Sequence, residues 1–222
     1  MMRRRRGARQ ARERWLAGPS GLLARAINSQ AGMAAITPRA GRLISLLDLK
    51  PGSRYLDIGC GTAAYAHLLA ARAGLEEPPF TADLVPGPGP VEMLAWPEKL
   101  PFRDESFDAI SCFYYIRRFD DDVLHALGTE LARLLAPGGS ALVLEIAPVR
   151  SRLLNRLHSW LVSPGCAQTG LRGWGRLVAT FSECGFDAID LVNAGPYLLP
   201  PIPRVGVLLR RAPSLPGPEE ES

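Results

Sequence analysis

The chain is poor in the residues that build metal sites and disulfide frameworks: its 222 residues include four cysteines and three histidines. Cys60, Cys112, Cys166 and Cys184 stand far apart, with no C-x-x-C pair. A zinc site or disulfide scaffold is therefore not expected, and a reducing compartment fits this cysteine usage. His67 and His125 fall in helical patterns without companion ligands, so no metal centre is expected. No apolar run approaches the ~18 residues of a membrane-spanning helix, and no internal repeat is present. No sustained apolar stretch follows the first arginines, as a secretory signal would require. The expected location is cytoplasmic, with a mitochondrial one as the alternative because the start is rich in arginine.

Acidic residues are equally scarce at the start. The first fourteen residues carry seven arginines (Arg3, Arg4, Arg5, Arg6, Arg9, Arg12 and Arg14) against Glu13 alone, so the net charge of +4 falls to −2 without them. The body is nearly neutral, and a domain-wide nucleic-acid groove is not indicated. The arginine-rich head is a solvated tail or a contact for acidic lipid or RNA, a peripheral membrane contact being the partner reading kept.

What remains is a soluble globular composition, 47% hydrophobic and 22% charged. The expected organisation is a basic extension over 1–38, one domain over 39–212, and a disordered acidic tail over 213–222. A weak helical pattern runs over 15–27, and a stronger one over 39–47 ends at Lys50-Pro51-Gly52. Strands are expected at 55–58, 80–84, 108–112, 141–146, 188–192 and 204–210, and helices at 62–73, 120–135, 153–162 and 174–184. Pro137-Gly138-Gly139 is read as the terminator of the leucine-rich helix. Between 85 and 90 proline alternates with glycine, which excludes a helix. The link from the second strand to the next apolar stretch at Val91 is too short for the dozen residues of a crossover. A third strand is thus expected to be displaced, shortened or absent.

The stretch from Tyr55 to Tyr65 carries the chemistry. An apolar strand breaks at Gly59 and Gly61 and passes into a helix, the geometry that brings backbone N–H groups to a ligand. The dinucleotide fingerprint needs a third glycine where this chain has Ala64, which argues against a nicotinamide-dependent oxidoreductase. Instead Asp57 precedes Gly59 by two positions. This Asp-x-Gly-x-Gly pattern resembles the first motif of class I S-adenosylmethionine (SAM) dependent methyltransferases. Leu100-Pro101-Phe102, Ser106-Phe107-Asp108 and Leu135-Ala136-Pro137-Gly138-Gly139 follow in the same register. Over about residues 39–210 the chain is similar to the small-molecule branch that includes the ubiquinone and menaquinone biosynthesis methyltransferases.

The resemblance implies an α/β, doubly wound, Rossmann-like sheet of seven strands, the last antiparallel, here without the helix between strands 2 and 3. It implies SAM as cofactor and a small molecule as acceptor, a hydrophobic one among the options. Asp57, Gly59, Cys60 and Gly61 would shape the loop around the methionine part, and Asp83 would accept from the ribose hydroxyls. Cys112 and Phe113, after the fourth strand, would border the methyl group. Relatives commonly carry an acid for the adenine amino group where this chain has Trp96; Glu98 is the nearest carboxylate, and Trp96 would offer a stacking face. Tyr114, Tyr115 and His158 are the candidates for handling a proton. Plainer roles stand beside these: Asp57 could cap the turn, Asp83 could open a loop, and the tyrosines could be core aromatics. The 153–162 helix could cover the sheet or form a lid. Two activities compete, a SAM-dependent methyltransferase and a methyltransferase-like binding or assembly module without catalysis. Neither the acceptor nor the oligomeric state follows from the residues.

Overall fold

The structure, a computed structural model, describes residues 40–61, 63–84, 93–162 (backbone alone for 158–162), 171–193 and 203–214. The 15–27 pattern, Thr62, the 85–90 segment, most of the 163–175 loop, the 194–202 loop and the tail past Ser214 lie outside the described residues. In chain order the elements are α1 (40–47), β1 (Tyr55–Ile58), α2 (Ala64–Ala73), β2 (Phe80–Asp83), β3 (Met93–Leu94), β4 (Phe107–Phe113), a 3₁₀ turn (Ile116–Arg118), α3 (Asp121–Leu134), β5 (Leu135–Ile146), α4 (Arg152–Val162), α5 (Trp174–Ser182), β6 (Ala188–Val192) and β7 (Arg204–Arg210).

The strands form one seven-stranded sheet in the order β3-β2-β1-β4-β5-β7-β6. β7 runs antiparallel to both β5 and β6, and the remaining pairs are parallel. Central strands of such a sheet are covered on both faces and read as continuous apolar runs. All four residues of β1 are buried accordingly. Alternation then divides the core in two. Leu56, Ile58, Ile110 and Val143 pack on one face with α3 and α5 residues such as Leu127, Leu131 and Phe181. Tyr55, Ala109, Leu142 and Leu144 pack on the other with Leu43 and Leu47 of α1 and Leu69 of α2.

β3 is the shortened edge strand expected from the sequence. Two residues pair with β2, Met93 beside Ala82 and Leu94 beside Asp83, and no helix stands between β2 and β3 among the described residues. Three other boundaries differ from expectation. α2 begins at Ala64, after Ala63 in a left-handed conformation (φ 59°), so its first turn starts later than the apolar pattern suggests. β4 runs from Phe107 to Phe113, one residue longer at each end than the 108–112 pattern, so Phe113 as well as Cys112 lies within the strand.

The third difference concerns Pro137-Gly138-Gly139, which does not end α3. That helix starts at the Asp120 cap, whose carboxylate accepts from Val123 N at 3.0 Å, and it ends where Leu135 turns extended. Leu135 already pairs with Phe107, and pairing resumes with Ser140 beside Ala109. The Pro-Gly-Gly residues are therefore a bulge inside β5. Glycine is required there, because a Cβ on Gly139 would lie 2.8 Å from Ala136 O and 3.0 Å from Asp108 O.

Candidate functional site at the carboxyl ends of the strands

In an open α/β sheet, ligands bind outside the carboxyl ends of the strands where the strand order reverses. Here that point lies between β1 and β4, and the Gly59–Gly61 turn leaves β1 at this position. Gly59 N donates to Ala82 O at 2.7 Å and Cys60 N to the same carbonyl at 3.4 Å, tying the turn to β2. Gly59 has φ 76°, and a Cβ there would stand 2.3 Å from Tyr115 Cγ. Gly61 has φ 61° but open space around its missing Cβ. The turn is thus braced by Tyr115 below and bare at Gly61 above.

Asp83 ends β2, is buried, and its Oδ2 accepts from Gly61 N at 3.0 Å. A carboxylate has about four acceptor positions, so a group of this kind can serve both a backbone N–H and a ligand's hydroxyl groups. Asp57 lies one strand residue before the turn and is also buried. Its Oδ1 accepts from Ser111 Oγ at 2.5 Å, and Ser111 Oγ in turn lies 2.7 Å from Tyr55 Oη. Loss of water around Asp57 raises its pKa from 3.8 to about 7; the Ser111 hydrogen bond works against this rise, and the charge of Asp83 adds to it.

On the β3 side, Ala95 N donates to Asp83 O at 3.1 Å. The segment carrying Trp96 and Glu98 is thereby held against Asp83 despite the short link from β2. Both side chains are half-buried, and Trp96 Nε1 is buried without a hydrogen-bond partner. On the β4 side, Tyr115 is buried and packs edge-on against Phe119 at 4.8 Å between centroids. Burial raises its phenol pKa well above the usual value, with the charge of Asp83 as a smaller cause. Arg118 lies over the Tyr115 ring at 5.8 Å, and its Nε is also buried without a partner. Tyr114 is half-buried with φ 55°; its N donates to Leu144 O at 2.7 Å, and its hydroxyl accepts from Arg204 Nη1 at 2.9 Å.

The remaining candidates are placed differently. Cys112 points into the apolar layer under α3, where burial raises its thiol pKa well above the usual value. Its side chain is therefore part of the core, not a lining of the site. Phe113 is half-buried, 5.9 Å from the Tyr65 ring. His158 belongs to α4, but its side chain lies outside the described residues.

Sequence reasoning missed Ser111, Arg117, Glu145 and Arg118. Arg117 and Glu145 form a buried ion pair at 2.8 Å where β4 and β5 end, with Arg117 N donating to the same carboxylate at 3.1 Å. The only sequence signal was a polar residue in or beside an apolar strand. A separate polar cleft, lined by Asp48, Lys50, Asp108, Gly138 and Arg210 among others, opens at the opposite end of the strands. It is far from the turn and carries none of this chemistry.

The strand order, the single antiparallel strand, the glycine turn at the reversal point and the acid ending β2 define a class I SAM-dependent methyltransferase. The chain belongs to the family described as "Methyltransferase domain", whose model matches residues 28–179. The cofactor of this family is S-adenosylmethionine. Curated relatives include the demethylmenaquinone methyltransferases of Bacillus cereus and Bacillus anthracis, each 32% identical over 114 residues. Those matches cover 45% of this chain and 47% of theirs, so the chain spans about half the length of the curated relatives it matches. Among solved structures, the PH0226 protein of Pyrococcus horikoshii has a TM-score of 0.61 at 18% identity, covering 83% of this chain and 93% of that one. Human N-acetylserotonin methyltransferase in complex with SAM has a TM-score of 0.57 at 16% identity, covering 82% and 54%. Geranyl diphosphate C-methyltransferase of Streptomyces coelicolor has a TM-score of 0.59 at 14% identity, covering 79% and 76%.

The residues present fit this cofactor. Trp96 Nε1 and Arg118 Nε are buried donors without acceptors, and each such donor costs about 1–3 kcal/mol unless a ligand or water satisfies it. Trp96 follows β3 beside Asp83, and Arg118 follows β4 over the Tyr115 ring, so the two residues stand on opposite sides of β1 in the strand order.

Proposed function

We propose that the protein transfers the methyl group of S-adenosylmethionine to a small hydrophobic acceptor. The observation that carries this reading is the bare Gly61 position, braced by Asp83, with a buried donor without a partner on each side of β1 in the strand order. Bound SAM supplies an electrophilic methyl group on a sulfonium sulfur. Gly59, Cys60 and Gly61 cradle its amino-acid end beside Asp57, and Asp83 accepts from its ribose. Trp96 and Glu98 form the adenine side: the indole offers a face and an N–H, and Glu98 is the nearest carboxylate. Methyl transfer to a ready nucleophile is governed mostly by proximity and orientation, which rigid strand ends supply. Tyr114 is the better placed of the two tyrosines to hold or pass a proton, because its hydroxyl accepts from Arg204 and the residue is half-buried, whereas Tyr115 is a buried wall.

The hydrophobic acceptor is supported by the relatives, named for demethylmenaquinone and geranyl diphosphate methylation. The arginine-rich head, drawn to acidic lipid, suits an acceptor that lives in or near a membrane. A second reading, a binding module without catalysis, is favoured by Trp96 standing where an acid is usual.

Calorimetric titration with SAM and with S-adenosylhomocysteine separates them. Micromolar binding of both, weakened at least tenfold by Asp83→Ala, is expected for the methyltransferase. A folded protein that binds neither would overturn it in favour of the module. With binding in hand, turnover on quinol-like and prenyl acceptors tests the acceptor class.

A further inference from the structure

The chain leaves β5 through Pro148 and Val149 into α4. Asn155 clamps the start of that helix: its Oδ1 accepts from Val149 N at 2.7 Å and its Nδ2 donates to Val149 O at 2.8 Å. Ser151 Oγ adds an N-terminal cap, accepting from Leu154 N at 3.3 Å. The clamp is polar and half-buried, while the leucines around it are exposed: Leu153 at 75%, Leu154 at 45% and Leu157 at 46%. Trp174, at the start of α5, is 62% exposed. It lies on the same rim, because a Cβ on its neighbour Gly173 would be 3.9 Å from Pro148 Cγ. A single exposed leucine needs no explanation, but three in two turns with an exposed tryptophan beside them mark an interaction surface.

We infer that this face, Leu153, Leu154, Leu157 and Trp174, docks on an anionic lipid surface. Charge selects the occupant. Arg150, Arg152 and Arg156 are exposed around the leucines, and no aspartate or glutamate occurs from Ile146 to Ser182. A second copy packed on the same face would set these arginines against their equivalents, a repulsive pairing. Acidic headgroups instead complement them, with leucine and tryptophan in the acyl boundary, the arrangement of an interfacial helix. No described helix is long and apolar enough to cross a membrane, so the contact is at the surface. The face adjoins the carboxyl end of β5, whose Leu144 O accepts from Tyr114 N, and docking turns the rim of the methyl-transfer site toward the bilayer. The docking itself does not depend on which acceptor is methylated.

The test is flotation of the full chain with phosphatidylcholine vesicles and with mixed phosphatidylcholine–phosphatidylglycerol vesicles. The basic head also attracts acidic vesicles, so the variants must act on the apolar face. Leu153→Asp with Leu157→Asp is expected to weaken partition onto the anionic vesicles more than about tenfold, since two leucines lose their burial. Its binding of S-adenosylhomocysteine serves as the folding check and is expected to be unchanged. Trp174→Phe, a milder change, is expected to reduce the vesicle-induced blue shift in tryptophan emission, to which the chain's other tryptophans also contribute. Equal partition of the aspartate variant and the wild type would overturn the inference, assigning any binding to the head. A wild-type protein that floats with neither vesicle, or one whose dimer is split by the aspartate pair, would overturn it as well.

Discussion

Asp57 is a carboxyl group whose burial outweighs its one hydroxyl donor, and the stability of the ligand-free protein is expected to show it. Its pKa rises from 3.8 to about 7. The folded state therefore holds a proton on Asp57 that the unfolded chain releases above about pH 4. With more protons bound in the native state, stability falls as pH rises. The slope is about 1.4 kcal/mol per pH unit between about pH 4 and 7, after which this group contributes no further change. The whole span corresponds to about 4 kcal/mol, as an order of magnitude. Asp57→Asn keeps an acceptor for Ser111 Oγ and cannot ionise. Urea unfolding of both proteins across this range is the assay. The wild type is expected to lose stability relative to Asp57→Asn up to about pH 7, with a constant difference above that point. Parallel curves from acid to neutral pH would refute the assignment of a neutral buried carboxyl. The same charge bears on the proposed ligand: SAM is cationic, so its affinity in the wild type is expected to rise from pH 6 to pH 8, and to rise much less in Asp57→Asn.

Other consequences of the geometry can be measured together. Gly59→Ala meets both a left-handed φ and the Tyr115 ring, so a loss of about 2–4 kcal/mol is expected in thermal or urea unfolding. Gly61→Ala meets open space and is expected to cost only about 1–2 kcal/mol in stability; a drop in S-adenosylhomocysteine affinity beyond tenfold in this variant would report contact between Gly61 and the ligand. Arg117→Met leaves Glu145 buried without its cation, and about 3–5 kcal/mol of destabilisation is expected, most of it restored in the Arg117→Met, Glu145→Leu double variant. Failure of the second change to restore stability would show that Arg117 acts by packing or through the backbone rather than through the pair.

The fold class was legible in residues that lie close together in the chain. An apolar strand, a glycine turn and a helix with an acidic cap are local patterns, and their order along the chain constrains a doubly wound sheet to few topologies. The short β3 was legible for the same reason, because chain length alone limits a crossover. The bulge at Pro137–Gly139 was misread because Pro-Gly-Gly is an equally good helix stop when only neighbours are considered; the Phe107–Leu135 pairing that makes it part of a strand is a long-range fact.

The sequence by itself thus determined the class of fold, the glycine turn and the two acids that border it. Tertiary structure decided how these groups behave. Ser111 reaches Asp57 across 54 residues, and Glu145 reaches Arg117 across 28; such partners exist only once strand register is set, since a shift of one residue would send each side chain to the opposite face. Burial, which raises the Asp57 pKa and turns Tyr115 into a wall, depends on every layer that covers the sheet. The exposure of Leu153, Leu154 and Leu157 was likewise undecided by an amphipathic pattern, because periodicity gives a helix an apolar face without saying what that face meets. The Asn155 clamp fixes its direction, outward from the rim of the site.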